Sequence, residues 1–181
     1  MKINTREDQL GWNGQFISGR EYGFDKSVKI HCTANLIGDI EIGENTRIDG
    51  NVTISGNVKI ARNCHIATGA NLFGANGITI GDHCGISAGC QLFTGTDDPD
   101  SGRLALHAEN ELSRSARTGP INIADYVTIG ANSVVMPNVS IGAGVMVGSL
   151  SFVKHPLSAG YIYGGNPIRM IRERPPLEYP K

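Results

Sequence analysis

The densest run of potential chemistry in this chain lies between residues 97 and 117, where Asp97, Asp98, Asp100, Arg103, His107, Glu109, Glu111, Arg114 and Arg117 crowd together. Asp97 has the chemistry to orient or deprotonate an attacking group, and His107 offers an imidazole that titrates near pH ~6.5. The run Asp97-Asp98-Pro99-Asp100 also suits an Asx-turn, and a turn and a site can share residues. A second cluster lies near the C-terminal end, in "IRMIRER". There Arg169 and Arg172 present fork-shaped donors suited to phosphate oxygens, beside the partly neutralising Glu173. Three of the four cysteines, Cys64, Cys84 and Cys90, fall at one repeat position and have no C-x-x-C spacing, so free buried thiols in a reducing compartment are expected.

The scaffold that must carry these groups is written as a period of six. Leu36, Ile42, Ile48, Ile54, Ile60, Ile66 and Leu72 follow one another without a miss. The phase resumes after a two-residue insertion at Ile80, Ile86 and Leu92, and returns at Ile123, Ile129, Val135, Ile141, Val147 and Val153. Four positions after each aliphatic residue stands a small or β-branched one, such as Thr46, Val52, Val58, Cys64 and Ala70. Gly, Asn and Asp fill the positions between, where sharp or positive-φ corners are needed. A period of six matches no helix face, so the expectation is a solenoid whose 18-residue coils each make three short strands. Residues 1–27 lack the period and are expected to cap its open end. Coils are expected over 28–158, interrupted by a loop at 98–120, with a tail at 159–181. A 23-residue excursion from so strict a repeat points to function.

Composition narrows the task. The chain has 181 residues, 16 basic and 17 acidic, for a net charge of −1. That balance gives no support to nucleic-acid binding. No apolar run approaches the roughly 20 residues of a membrane span. "MKINTREDQL" carries no apolar stretch behind its charge, so no secretory signal is expected and the location is expected to be cytoplasmic. His31, His65 and His83 occupy three different repeat positions, so a zinc site is not expected. His83 is expected to stack over Asn63.

The hexads, together with "VGSLSFVKHPLSAGYIYGGNPIRMIRER", resemble the hexapeptide-repeat acyltransferases. The resemblance implies an all-β, left-handed parallel β-helix with a loop insertion and a short C-terminal helical tail; handedness comes from the family, since left-handed crossovers run against the usual rule. "GISAGCQLFTGTDD", with its return through Gly119-Pro120-Ile121-Asn122-Ile123, resembles the branch that acylates sugars and amino-sugar nucleotides. By that likeness Ser87, Asp98 and Arg103 would contact the acceptor and Asp97 would lie in its site. Ala131, Ser149 and Lys154 would line the pantetheine arm of coenzyme A, Pro167 and Ile168 its adenine, and Arg169 with Arg172 its phosphates. The chain departs from the sugar acetyltransferases that carry a Gly-His-Pro base, having Gly95-Thr96-Asp97 instead, and places His155 where many relatives have Lys.

The function these features imply is transfer of an acetyl or related acyl group from acyl-CoA to a hydroxyl or amine of a sugar or nucleotide-sugar, in surface polysaccharide assembly. Asp97 or His107 would act as base. The expected assembly is a homotrimer, with acetyl-CoA as co-substrate and no metal. A γ-carbonic-anhydrase-like metalloprotein and a non-catalytic solenoid scaffold are the competing readings.

Overall fold

The structure is a computed structural model that describes residues 16–17, 20–97 and 116–176. Trp12, His107, Asp98 and Arg103 lie outside the described residues. Among those described, every regular element is a strand, and no helix is long and apolar enough to cross a membrane.

Short strands stack in parallel from coil to coil. Lys29–Ile30, Arg47–Ile48, His65–Ile66, Gly85–Ile86, Thr128–Ile129, Met146–Val147 and Tyr161–Gly164 form one sheet. Lys29 pairs with Arg47 and Arg47 with His65, a step of 18 residues. His65 pairs with Gly85, a step of 20, because Asn71–Ile80 carries two residues more than Thr53–Ile60. The insertion inferred from the hexads is therefore real. Gly85 pairs with Thr128, and the 43-residue step holds the large excursion.

Both interior columns are buried as the period requires. Leu36, Ile48, Ile54, Ile66, Leu72, Ile86, Leu92, Ile129 and Val135 are wholly excluded from solvent. The small column meets them with Thr46, Val52, Val58, Cys64, Ala70, Cys84, Cys90 and Ser133. Its hydroxyls are satisfied by backbone: Thr46 Oγ1 donates to Ala61 O at 2.8 Å and accepts from Cys64 N at 3.1 Å. The thiols donate to carbonyls in the same way, Cys64 to Gly81, Cys84 to Ala124 and Cys90 to Gly130. Burial pushes the Cys90 thiol up, and the Cys64 thiol and burial together push Cys84 up. Inward-facing protonated thiols are not nucleophiles.

Corners are made by left-handed residues stacked on one another. One column runs Asn45, Asn63, His83, Tyr126 and Gly144, with φ between 56° and 68°. Each amide reaches the coil beneath: Asn63 N to Glu44 O at 2.8 Å, His83 N to Arg62 O at 3.0 Å, Tyr126 N to Asp82 O at 2.8 Å. His83 does stack on Asn63, 3.4 Å between Nε2 and Nδ2, and its ring lies flat on Tyr126 with centroids 5.1 Å apart. At a third corner Gly38, Gly56 and Gly74 pack backbone on backbone, leaving no room for a Cβ on the first two.

The ends are closed differently. Tyr22 is buried, stacks on Phe24 with centroids 5.1 Å apart, and donates its hydroxyl to Gly38 O at 2.9 Å. At the far end the expected helical tail is a β-hairpin. Tyr161–Gly164 pairs in parallel with Met146–Val147, and Arg169–Glu173 returns antiparallel along its outer edge. Gly165 at φ 98° and the cis Asn166–Pro167 bond make the turn. An open parallel edge offers the segment a row of unpaired backbone groups, which a helix would leave exposed.

Replacing Ile129 with Asp puts an unpaired charge in the solvent-excluded column, a cost of several kcal/mol against a total stability of about 5–15. The variant is expected to be insoluble or unfolded by circular dichroism; a soluble protein with the parental melting temperature would contradict the register.

Candidate active site

One corner gathers three of the residues implied for the reaction, Ser87, Ala131 and Ser149. Its backbone ladder runs Gly69 N to Gly50 O at 3.1 Å, Gly89 N to Thr68 O at 3.1 Å, Asn132 N to Ala88 O at 2.9 Å and Leu150 N to Ala131 O at 2.9 Å. Gly50, Thr68, Ala88, Ala131 and Ser149 therefore stack in sequence, one per coil. Ser149 sits so closely over Gly130 that a Cβ there would strike its amide nitrogen. Beside this ladder runs a column of outward residues: His31, Asp49, Ala67, Ser87, Gly130 and Gly148. It is set by bonds such as Asp49 N to Ile66 O, Ala67 N to Ile86 O, Ser87 N to Ile129 O and Gly130 N to Val147 O. Ser87 is half-buried in the middle of the column. Ala131 and Ser149 lie on its C-terminal side, flanked by Gly130 and Gly148, and the missing side chain of Gly130 lets the next coil pack directly on it.

Asp97 stands elsewhere. The excursion leaves the coil as a two-stranded antiparallel ribbon, Gly95–Asp97 against Ala116–Thr118, with Asp97 opposite Ala116. Asp97 is half-buried and its Oδ1 is shielded from solvent. The ribbon is pinned at its base by Thr94, a fully buried residue that the hexads did not single out. Thr94 Oγ1 donates to Phe73 O at 2.7 Å and accepts from Asn76 N at 3.0 Å, while its carbonyl accepts from Gly119 N and Asn76 Nδ2. Ser87 lies before the strand Gln91–Phe93 and the ribbon leaves after it, so the corner and the ribbon flank one face.

The tail residues lie on the closing hairpin. Arg169 is opposite Gly164 and Arg172 opposite Ile162, both exposed; Pro167 is exposed in the turn and Ile168 packs against the core. Lys154 is exposed on the neighbouring face. Arg174, passed over in the sequence, is the structural arginine of the tail. It donates to Tyr126 O and Gly144 O at 2.9 Å each and ties the hairpin to two coils of the corner.

A polar cluster at the N-terminal end of the Ser87 column also escaped the sequence reading. Asp49 is buried and accepts from Arg47 Nε at 2.7 Å and from His65 Nε2 at 2.8 Å. Burial alone would push its carboxyl up, but the hydrogen bonds from His65 and Arg47 outweigh it and hold the group below the usual carboxylate range. His31 lies one coil further down, with Nδ1 2.9 Å from Thr33 Oγ1. His31 and His65 thus share a face through Asp49, although their repeat positions differ; His83 is on another corner. Among the described residues no three His, Cys, Asp or Glu side chains converge as a metal site would need. The signal that could have found the cluster is spacing: outward ionisable residues at 31, 47, 49 and 65 are one coil apart, give or take two residues.

A parallel β-helix built of hexads, with one long excursion, has counterparts among known proteins. Residues 39–74 and 120–155 match the family described as bacterial transferase hexapeptide (six repeats). The chain is 29% identical over 163 residues to the dTDP-4-amino-4,6-dideoxy-D-glucose acyltransferase of Escherichia coli, covering 86% of this chain and 85% of that one. It is similar to AntD, an N-acyltransferase from Bacillus cereus solved with dTDP and 3-hydroxybutyryl-CoA: 37% identity, 83% and 81% of the two chains, TM-score 0.80. A serine-to-alanine variant of AntD, solved with dTDP-4-amino-4,6-dideoxyglucose and coenzyme A, gives 32% identity, 96% and 91% coverage and TM-score 0.81. The chain belongs to the hexapeptide-repeat acyltransferases of the left-handed β-helix type. Solved AntD variants replace one serine by Cys, Thr or Ala, and one aspartate ten positions further on by Ala or Asn. Ser87 and Asp97 stand ten positions apart here.

The depressed Asp49 carboxyl makes a pH prediction. A lowered carboxylate stabilises the fold fully above its unfolded value, about 3.9, and loses that contribution as pH falls through the lower folded value. Asp49→Asn is therefore expected to melt below the parent at pH 7, with the difference shrinking as pH drops below about 4. An unchanged melting temperature at pH 7 would show that the cluster contributes nothing to folding.

Proposed function

We propose that the chain transfers an acetyl or similar short acyl group from acyl-CoA to the amine of a nucleotide-linked amino sugar, a step in surface polysaccharide assembly. The observation that carries this reading is the Ser87–Asp97 pair on an acyltransferase fold, at the spacing of the two positions varied in AntD. AntD was solved with dTDP-4-amino-4,6-dideoxyglucose and coenzyme A, and the Escherichia coli relative is named for acylating the same sugar nucleotide. An amine, once deprotonated, attacks a thioester with less base assistance than a hydroxyl, which suits a chain without the Gly-His-Pro histidine.

The sequence of events is direct attack. The sugar nitrogen adds to the thioester carbonyl, the oxyanion is steadied by backbone N–H groups, and the C–S bond breaks to release the CoA thiolate. The amine proton passes to Asp97, with His107 as the second candidate base. No acyl-enzyme is required, and the inward thiols of Cys64, Cys84 and Cys90 are in no position to form one. Pantetheine would run along Ala131 and Ser149 with Lys154 near its arm. Pro167 and Ile168 would meet the adenine, and Arg169 and Arg172 the phosphates. Asp98 and Arg103 would serve the acceptor from the loop.

A homotrimer fits this chemistry. Phe73, Phe93 and Met136 are half-buried or exposed apolar side chains on one outer face, with Phe73 and Phe93 stacked at 5.3 Å and Ile37 beyond Ser55 in the same column. Covering that surface with a neighbour would let the ribbon of one chain complete the corner of the next. Reduced buried thiols and acyl-CoA use favour the cytoplasm.

Two substitutions test the roles. Asp97→Asn is expected to lower kcat/KM for dTDP-4-amino-4,6-dideoxyglucose by about 10², read as thiol release from acetyl-CoA, with CoA affinity unchanged. Full activity in this variant would remove Asp97 from the proton path. Arg169→Ala is expected to weaken CoA binding ten- to a hundredfold, the loss of one charge-assisted contact worth about 1.5–3 kcal/mol. Equal affinity by titration calorimetry would remove the hairpin from the donor site.

A further inference from the structure

We propose that Asn76 is a positioning residue for Asp97, and that the two-residue insertion carrying it is the seat on which the ribbon stands. The assignment rests on the acyl-transfer reading above, with Asp97 as its base. Two breaks in the repeat, the insertion and the long excursion, are then one device.

Register brings the two together. Thr53–Ile60 follows Asn35–Ile42 residue for residue, through the corner at Gly38 and Gly56. The next strand keeps step only as far as Gly74, which lies on Gly56; Ile78 then lies on Val58. Ala75, Asn76 and Gly77 therefore occupy the place that Asn57 fills alone. One coil further on, Phe93 lies on Phe73, and the chain departs at Thr94 into Gly95–Asp97. It comes back through Ala116–Thr118 and rejoins the wall with Ile121 on Ile78. The insertion thus fills the short stretch of wall over which the excursion leaves and returns.

Its contacts go to both strands of the excursion. Asn76 N donates to Thr94 Oγ1 at 3.0 Å, and Asn76 Nδ2 donates to Thr94 O at 2.9 Å. That carbonyl also accepts from Gly119 N at 3.0 Å, so one oxygen joins the insertion, the outgoing strand and the returning one. A Cβ added at Gly95 would lie 3.5 Å from Asn76 Nδ2, and one added at Gly77 would lie 4.0 Å from Pro120 Cβ. Gly77 holds φ 95°, a turn open to glycine that brings the insertion back to the wall at Ile78.

The ribbon needs such a seat. It has three residue pairs, Gly95–Thr118, Thr96–Arg117 and Asp97–Ala116, and a two-stranded ribbon is marginal on its own. Its aim is therefore set at the root. Asp97 stands about 10 Å beyond Thr94 at ~3.3 Å per residue, so a tilt of about 6° at the root moves it by about 1 Å. A misplacement of that size can cost as much as about 10²-fold in rate. Stability of the corner does not call for the extra residues: Asn35–Ile42 and Thr53–Ile60 turn it without them, and neither has an excursion above it. Thr94 N and Oγ1 both donate to Phe73 O, so the outgoing strand stays attached when the Asn76 carboxamide is removed and only its aim is released.

The test measures steady-state acyl transfer from acetyl-CoA to dTDP-4-amino-4,6-dideoxyglucose by the full chain. Asn76→Ala removes the carboxamide and keeps the backbone bond to Thr94. It is expected to lower kcat about tenfold, with KM for both substrates near the parent's and the melting temperature within about 4 °C. In the Asp97→Asn background the same change is expected to cost less than about twofold further, because it acts through the carboxylate. Parental kcat in Asn76→Ala, losses that multiply in the double variant, or a larger fall in melting temperature would overturn this assignment alone. Full activity in Asp97→Asn would remove the base role and this assignment with it. A parent that transfers no acyl group would overturn the acyl-transfer reading itself.

Discussion

Everything in this molecule depends on the left-handed corner residue whose amide reaches the coil below. Asn45, Asn63, His83, Tyr126 and Gly144 hold that conformation in one column, and Asn51, Gly69, Gly89, Asn132 and Leu150 in another. Each such corner costs about 1–2 kcal/mol in an ordinary L-residue. The cost is met by a hydrogen bond from each corner amide, to a backbone carbonyl except at Asn45 and Asn51, which donate to Ser27 Oγ and Thr33 Oγ1, and by the burial of an aliphatic and a small residue in each hexad. With corners fixed, outward positions become an addressable grid: a residue's place in the hexad fixes its column and its coil number fixes its height.

The grid makes a linear active site possible. Ala131 and Ser149, proposed for the donor, lie along one corner at coil spacing with Ser87, proposed for the acceptor. Asp97, the proposed base, comes from off the corner, on a ribbon anchored by Thr94. The 43-residue step between Gly85 and Thr128 is the place where the repeat gives up its regularity to supply that group. Where the repeat is strict the chain builds walls, and where it breaks the chain supplies chemistry.

Much of this was legible beforehand, and the failures have physical causes. The interior columns, the two-residue insertion and the stacking of His83 on Asn63 follow from counting by six, because burial repeats with the coil. The hairpin did not follow. "IRMIRER" has strong helix formers, and local propensity favours a helix, but the open edge of the last coil offers backbone partners that outweigh it. The Asp49–His65 contact did not follow, because it is made between coils, sixteen residues apart, by residues at different repeat positions. Thr94 looked like one more small residue; its importance comes from four backbone and side-chain partners that no spacing reveals.

The account's central claim is that donor and acceptor meet end to end on one corner at Ser87. A crystal structure of the protein with coenzyme A and dTDP-4-amino-4,6-dideoxyglucose bound together tests it most directly. The account predicts the coenzyme sulfur and the sugar nitrogen close to Ser87, with pantetheine along Ala131 and Ser149. Asp97 from an adjoining subunit is expected to face the nitrogen. A coenzyme lying on another corner, or a nucleotide pointing toward Ser149, would contradict it.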